Sequence, residues 1–319
     1  MTEPASPRTD WLARVAWPEG KKFAFTVFDD PDGQTLATHK LVYDFLTGLG
    51  LRTTVAVWPL APWQIPNSGG ENCGNPEYLA NLQRLQELGF EVAWHHATPH
   101  TSLQGDTLRG LNRFKELFGH DPFSMANHYN GEAIYWGPSR LTGLRRRLYS
   151  AISLGRTENR FFGHIEGHPN FWGDLARTRI RYCRNFVFSD LNTLARCPWM
   201  PYADQLRPWI NLWFAASEGA QGASFRKAIT EANQEKLEQE GGACILYTHF
   251  GHGFMENGKL NPTFVRLMTR MSQKDGWFVP ASTILEYLRE TRGVCTLGAA
   301  TRRSLEWSWL GEKIFRGTS

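Results

Sequence analysis

Short apolar runs alternate along this chain with stretches in which apolar side chains recur every three or four positions. Residues 23–28, Phe-Ala-Phe-Thr-Val-Phe, read as a buried strand. Leu41, Val42, Phe45, Leu46 and Leu49 then recur at one-turn spacing, with Gly50 placed to end a helix. The Thr- and Val-rich stretch Leu51–Trp58 reads as a second strand. Asn75-Pro76 supplies a cap and first position for a helix that buries Leu79, Leu82, Leu85 and Leu88 and stops at Gly89. A third strand is expected over 90–95, a helix with Leu108, Leu111, Phe114 and Phe118 up to Gly119, and a short strand within Phe123–His128.

From 129 to 220 the rhythm weakens to turns, aromatic clusters and short apolar runs at Phe186–Phe188 and Ile210–Phe214. It returns with a helix near 223–239, a strand Ala243–Tyr247, a helix with Val265, Met268 and Met271, a strand Trp277–Val279 and a helix through Leu288. Residues 1–20 read as a loose lead-in, and the tail 290–319 has no strong period. Strands alternating with helices through short connections predict an α/β fold with a parallel sheet, open or closed into a barrel. Such sheets carry their sites at the carboxyl ends of the strands.

Bulk properties remove several classes of function. A net charge of +4 spread over 319 residues gives no footprint for nucleic acid. Five cysteines without close pairing predict neither a disulfide framework nor a zinc ribbon; they read as buried small hydrophobes. No apolar stretch approaches the roughly 20 residues of a membrane helix. Met1-Thr-Glu-Pro-Ala lacks a signal-peptide core, so a cytoplasmic protein is expected. Thirteen tryptophans are many; most are assigned to packing, and one or two to a sugar-stacking cleft.

Polar chemistry collects at three strand ends: Asp29-Asp30, His95-His96 with His100, and His249. A carboxylate and two imidazoles make a three-ligand metal site with an open position, and a second carboxylate beside it can act as base. Asp29-Asp30-Pro31-Asp32-Gly33 is also good turn chemistry, a duty that falls to Asp32 and Gly33.

These segments resemble motifs of the polysaccharide deacetylase family, carbohydrate esterase family four. Val27-Phe28-Asp29-Asp30 matches three of the four positions of its first motif, His96-Ala-Thr-Pro-His100 keeps the spacing of its second, and Ile245–His249 fits its fifth. The resemblance spans roughly residues 23–289. It implies a distorted (β/α) barrel of seven strands over 21–290, with an insertion around 129–220 and a C-terminal extension over 291–319. It also implies Asp29 as base, His249 as the acid for the leaving group, and a divalent metal on Asp30, His96 and His100. Zn²⁺ leads among the metals, with Co²⁺, Ni²⁺ or Mn²⁺ as alternatives. His95 is the alternative to His96: helical spacing to His100 favours His96, whereas the preceding Gly-x-Glu selects His95. The family's Arg-Pro motif is absent, replaced by Ala126–Gly131, so Arg184 or His128 is expected to orient the base. Asn127, His128, Arg184 and His252 are expected at the substrate. The implied activity is hydrolysis of an amide, foremost an N-acetyl group on a sugar; the alternatives are a small non-sugar amide, or an inactive carbohydrate-binding relative.

Overall fold

The computed structural model describes residues 10–317. Its strands are β1 (Phe23–Asp29), β2 (Thr54–Val57), β3 (Glu91–Trp94), β4 (Ser124–Met125), β5 (Tyr182–Phe188), β6 (Tyr202–Ala203), β7 (Leu212–Glu218), β8 (Ala243–Thr248), the hairpin β9 (Met255–Glu256) and β10 (Lys259–Leu260), β11 (Gly276–Trp277) and β12 (Cys295–Thr296). Seven of them close a parallel barrel: β1 pairs β2, then β3, β4, β5, β7 and β8 follow in turn, and β8 returns to β1. The closing seam is the most regular, running from Ala24 opposite Ala243 to Asp29 opposite Thr248. Strands walled on both faces have no polar side, which is why β1 and β8 are buried at every position.

Helices α1 (Leu36–Gly48), α2 (Pro76–Glu87) and α3 (Gln104–Phe118) follow the first three strands on the outside. Thr35 caps α1 and Asn75 caps α2 by accepting backbone N–H bonds, and α3 ends on a left-handed Gly119. The buried stripes are rotated slightly from the expected ones. Helix α1 turns His39, Val42, Tyr43 and Leu46 inward, while Leu41, Leu88 and Leu108 stand at exposed edges. The helix expected near 223–239 is two, α7 (Gly222–Ala228) and α8 (Glu231–Glu240), broken at Ile229-Thr230, where Thr230 caps the second.

Three regions differ from the sequence expectation. Residues 1–9 of the lead-in lie outside the described residues, but 10–20 are anchored: Trp17 is buried against Trp277 and Tyr287, and its indole N–H donates to the Gly241 carbonyl. The stretch 129–220 is more than an insertion, because it supplies barrel strands β5 and β7 along with α4 (Gly143–Ile152), α5 (Gly173–Arg179) and α6 (Thr193–Arg196). After α9 (Pro262–Ser272) and α10 (Ala281–Arg292), the tail holds α11 (Ala299–Arg316), whose buried face mixes Leu305, Trp309 and Leu310 with Arg302, Glu306 and Glu312. Those charges are paired: Glu306 with Arg145 and Arg207, Arg302 with Asp204, and Glu312 with Arg196. No described helix is long and apolar enough to cross a membrane.

His39 gives the fold an acid-sensitive point. It is fully buried between Tyr43 and Tyr78, its Nε2 has no partner, and burial lowers its pKa to about 3. The unfolded chain takes up this proton near pH 6.5 and the folded chain resists it, so stability is lost as pH falls from about 6.5 toward 3. His164, lowered to about 4 mainly by burial, acts in the same direction. Each such group steepens the loss by about 1.4 kcal/mol per pH unit within its window. Urea unfolding at pH 7 and pH 4.5 should therefore show a smaller stability difference for His39→Gln than for the parent; equal differences would remove His39 from this role.

Candidate active site

The carboxyl ends of the barrel strands meet around a cavity of about 190 Å³. Its polar wall is made by Asp30, Asp32, His95, His128, Arg184 and His249, and its aromatic wall by Tyr129, Trp136 and Tyr247. Main-chain bonds fix the strand-end residues: the Asp30 N–H donates to the Thr248 carbonyl, the His95 N–H to Val57, and the His249 N–H to Ala220.

Just past β1 the chain reverses in a turn closed by the Gln34 N–H on the Pro31 carbonyl. Gly33 occupies its third position with φ +67°, and a Cβ there would lie 2.2 Å from the His252 ring, so only glycine fits. This turn presents Asp32 to the cavity. Asp32 Oδ2 is 3.2 Å from His95 Nε2 and its Oδ1 is 3.3 Å from His128 Nδ1. Ligand atoms of Asp32, His95 and His128 all lie within 4.8 Å of one another.

The donor set fits a divalent cation. Ligand bonds of about 2.1 Å in tetrahedral geometry put neighbouring ligand atoms about 3.4 Å apart, close to the 3.2 and 3.3 Å between the Asp32 carboxylate and the two imidazoles. Both ring nitrogens of His95 and Nε2 of His128 are buried without a hydrogen-bond partner, an expensive arrangement unless a ligand satisfies them. Burial is the main cause that lowers the His95 pKa, favouring the neutral ring that metal binding requires. Burial works against charge on Asp32, but the imidazoles of His128 and His95 that face it outweigh this and hold the carboxyl well below its ordinary value. Trp58 packs against both imidazoles.

The expected ligand set Asp30, His96 and His100 does not converge. Residues 95–103 are not helical, so the four-residue spacing from His96 to His100 does not place both rings on one face. His96 adopts φ +71°, which turns its ring away from His95; Nδ1 lies 3.1 Å from Glu132 and Nε2 3.3 Å from the Asn127 side-chain oxygen Oδ1. His100 points elsewhere again, with Nδ1 on the Thr101 carbonyl and Nε2 accepting from the Trp63 N–H. His95, the alternative, is the histidine that faces the cavity.

Asp30 is gripped by Arg184 in a forked ion pair, with Nη1 3.0 Å from Oδ1. A register shift in β5 between Arg184 and Val187 accompanies this inward placement, and the guanidinium also lies 4.2 Å from the Tyr247 ring centroid. Asp29, the expected base, is not part of the cavity wall. It is fully buried behind it and accepts from the Phe250 N–H at 2.7 Å, the Tyr43 hydroxyl at 3.0 Å and Gln34 Nε2 at 3.3 Å. Burial pushes its carboxyl well above the usual range.

His249 does reach the cavity: its Nδ1 bonds the Ala220 carbonyl, and Nε2 stands 3.3 Å from the Tyr247 hydroxyl and 3.7 Å from Asp32. Asn127 lines the wall but spends its amide on both backbone groups of Ile134. His252 is exposed and packs over Gly33 instead of lining the cavity. Two residues with no sequence signal, Asn130 and Glu132, organise the loop that carries His128. The Asn130 amide donates to the carbonyls of Thr98 and His100, and Glu132 accepts from the Ser102 N–H.

No family model matches the chain, and no curated protein does either. Among solved structures, a provisionally assigned polysaccharide deacetylase from Mycobacterium smegmatis superposes with a TM-score of 0.51 at 16% identity, covering 90% of this chain and 97% of that one. The PuuE allantoinase follows at TM-score 0.48 and 12% identity, covering 91% and 99%. A provisionally assigned deacetylase of O-antigen biosynthesis from Bordetella bronchiseptica gives 0.41 and 12%, covering 83% and 97%. The first of these shows the fold: a seven-stranded barrel of the polysaccharide deacetylase type.

Proposed function

We propose that this protein is a metal-dependent hydrolase of amide bonds, acting on a small acylated molecule such as an acetamido sugar. The observation that carries the reading is the convergence of Asp32, His95 and His128 beside the Asp30–Arg184 pair in one cavity. Asp32, His95 and His128 would hold a divalent cation, which when bound supplies Lewis acidity and an acidified water. Asp30 Oδ1, 3.9 Å from His95 Nδ1, is positioned to take the proton of the attacking water, and Arg184 fixes the carboxylate plane. His249 has Nδ1–H committed to Ala220, which leaves Nε2–H, when the ring is protonated, to deliver a proton to the departing amine.

Cavity size argues for a small substrate. About 190 Å³ is below the roughly 300–1,000 Å³ of drug-sized sites, which suits a single ring better than a glycan chain. Tyr129, Trp136 and Tyr247 offer aromatic surface for the apolar face of a sugar. Protein loaded separately with Zn²⁺, Co²⁺, Ni²⁺ or Mn²⁺ is expected to release acetate from monomeric acetamido sugars, or amine from small cyclic amides. Inactivity on every substrate at full metal occupancy would refute the hydrolase; sugar binding indifferent to chelator would put a binding role in its place.

A further inference from the structure

The three candidate ligands stand on three separate loops, and one short strap ties those loops together. Asp32 lies on the turn after β1, His95 just past β3, and His128 in the loop after β4. The strap is Asn67-Ser68-Gly69-Gly70-Glu71, in the connection between β2 and α2, and its first two residues line the cavity.

Ser68 holds the first ligand directly: its hydroxyl donates to Asp32 Oδ1 at 2.5 Å. Main-chain bonds zip the strap to the same turn, with the Gly33 N–H on the Gly69 carbonyl at 2.7 Å and the Glu71 N–H on the Gln34 carbonyl at 3.0 Å. The approach is too close for a side chain at Gly70, where φ is +151° and a Cβ would lie 2.3 Å from the Pro31 carbonyl oxygen. Asn67 reaches the other two loops. Its main-chain N–H donates to the Pro99 carbonyl at 2.9 Å, and its side-chain amide to Asn130 Oδ1 at 2.6 Å. Asn130 is fully buried and donates in turn to the carbonyls of Thr98 and His100, so both histidine loops meet the strap in one knot.

A cation is held tightly only where its ligands are aimed before it arrives, and partners one bond further out do the aiming. The terminal torsion of an aspartate is soft, so a carboxylate on a turn needs such a partner to fix its plane. The bond from Ser68 to Oδ1 fixes it with Oδ2 at 3.2 Å from His95 Nε2. We propose that this strap positions the metal site, Ser68 by orienting the Asp32 carboxylate and Asn67 by joining the loops of His95 and His128. Neither residue is a ligand. The proposal rests on the metal-dependent reading of the cavity and adds to it the residues that hold its ligands in place.

The test is competitive titration of the purified full-length protein with Zn²⁺ against a chromophoric chelator, at a temperature where every variant is folded. Ser68→Ala is expected to weaken Zn²⁺ binding by about 10–100-fold, whereas Ser68→Thr, which keeps the hydroxyl, should stay within about tenfold of the parent. Asn67→Ala retains its main-chain bond to Pro99 and should lose less than Ser68→Ala. Melting of the metal-free proteins is read alongside. A strap that only braces the fold would lower that melting temperature and leave Zn²⁺ affinity at the parent value. That result, or equal losses of affinity in Ser68→Ala and Ser68→Thr, overturns the proposal. A parent that binds Zn²⁺ with Ser68→Ala unchanged refutes the strap alone; a parent that binds no Zn²⁺ refutes the metal site and the strap together.

Discussion

Asp30→Asn is expected to lower the rate of amide hydrolysis by about 10²–10⁴-fold, the usual contribution of a positioned general base, while bound metal stays near its parent level. Asp30 is not among the three side chains that converge for the cation, and both oxygens of its carboxylate are held by Arg184 at the cavity wall. The change leaves the Arg184 charge uncompensated, so a lower melting temperature is expected as well, and rates should be taken well below it. Asp29→Asn makes the informative contrast. Burial favours a neutral acid at position 29, and an asparagine amide reproduces that form. Its oxygen can accept from the Phe250 N–H, and its NH₂ can face Tyr43 and the unpartnered Gln34 Oε1 after an amide flip. Activity within about tenfold of the parent is expected. Should Asp29→Asn be the inactive protein, metal-replete and folded, with Asp30→Asn active, the base is Asp29 and the assignment of Asp30 fails.

What could be read from the chain follows from which forces are local. These parallel strands are buried on both faces, so β1, β3 and β8 appear as mainly apolar runs whatever their neighbours. Strand β4 has only two residues, and the loop after it is stabilised by Asn127, Asn130 and Glu132 through partners some 30 positions away, which no window reveals. Helix α11 hid for a related reason: Arg302, Glu306 and Glu312 sit on its buried face, and their counter-charges come from 142–207. At the site the strand ends were legible, and the choice between adjacent side chains was not. A positive φ at His96 decides which imidazole faces the cavity, and a glycine-dependent turn carries Asp32 there instead of leaving it in solvent. Arg184 stands on a strand within a region that showed no rhythm, and its guanidinium pairs with Asp30 and not with Asp29, the base it was expected to orient.

Metal content across a histidine series is expected to fall into three levels. His95→Ala and His128→Ala each remove one of three candidate ligands, and stoichiometry near one ion per chain should drop toward zero at micromolar free metal. His96→Ala removes no ligand atom, but it releases Glu132 and the Asn127 side-chain oxygen, contacts of the loop bearing His128. Outer partners of this kind typically change metal affinity by about 10–100-fold, so the His96 protein should bind, weakly. His100→Ala breaks bonds to Trp63 and Thr101 on the far side of that loop and should leave affinity near the parent value. Competitive titration against a chromophoric chelator separates the levels without any assay of turnover, and circular dichroism melting checks that each variant is folded. The order decides between two geometries. If His96→Ala and His100→Ala abolish binding while His95→Ala and His128→Ala preserve it, the cation sits where helical spacing would have put it, and the Asp32 cluster is a hydrogen-bonded wall and no metal site.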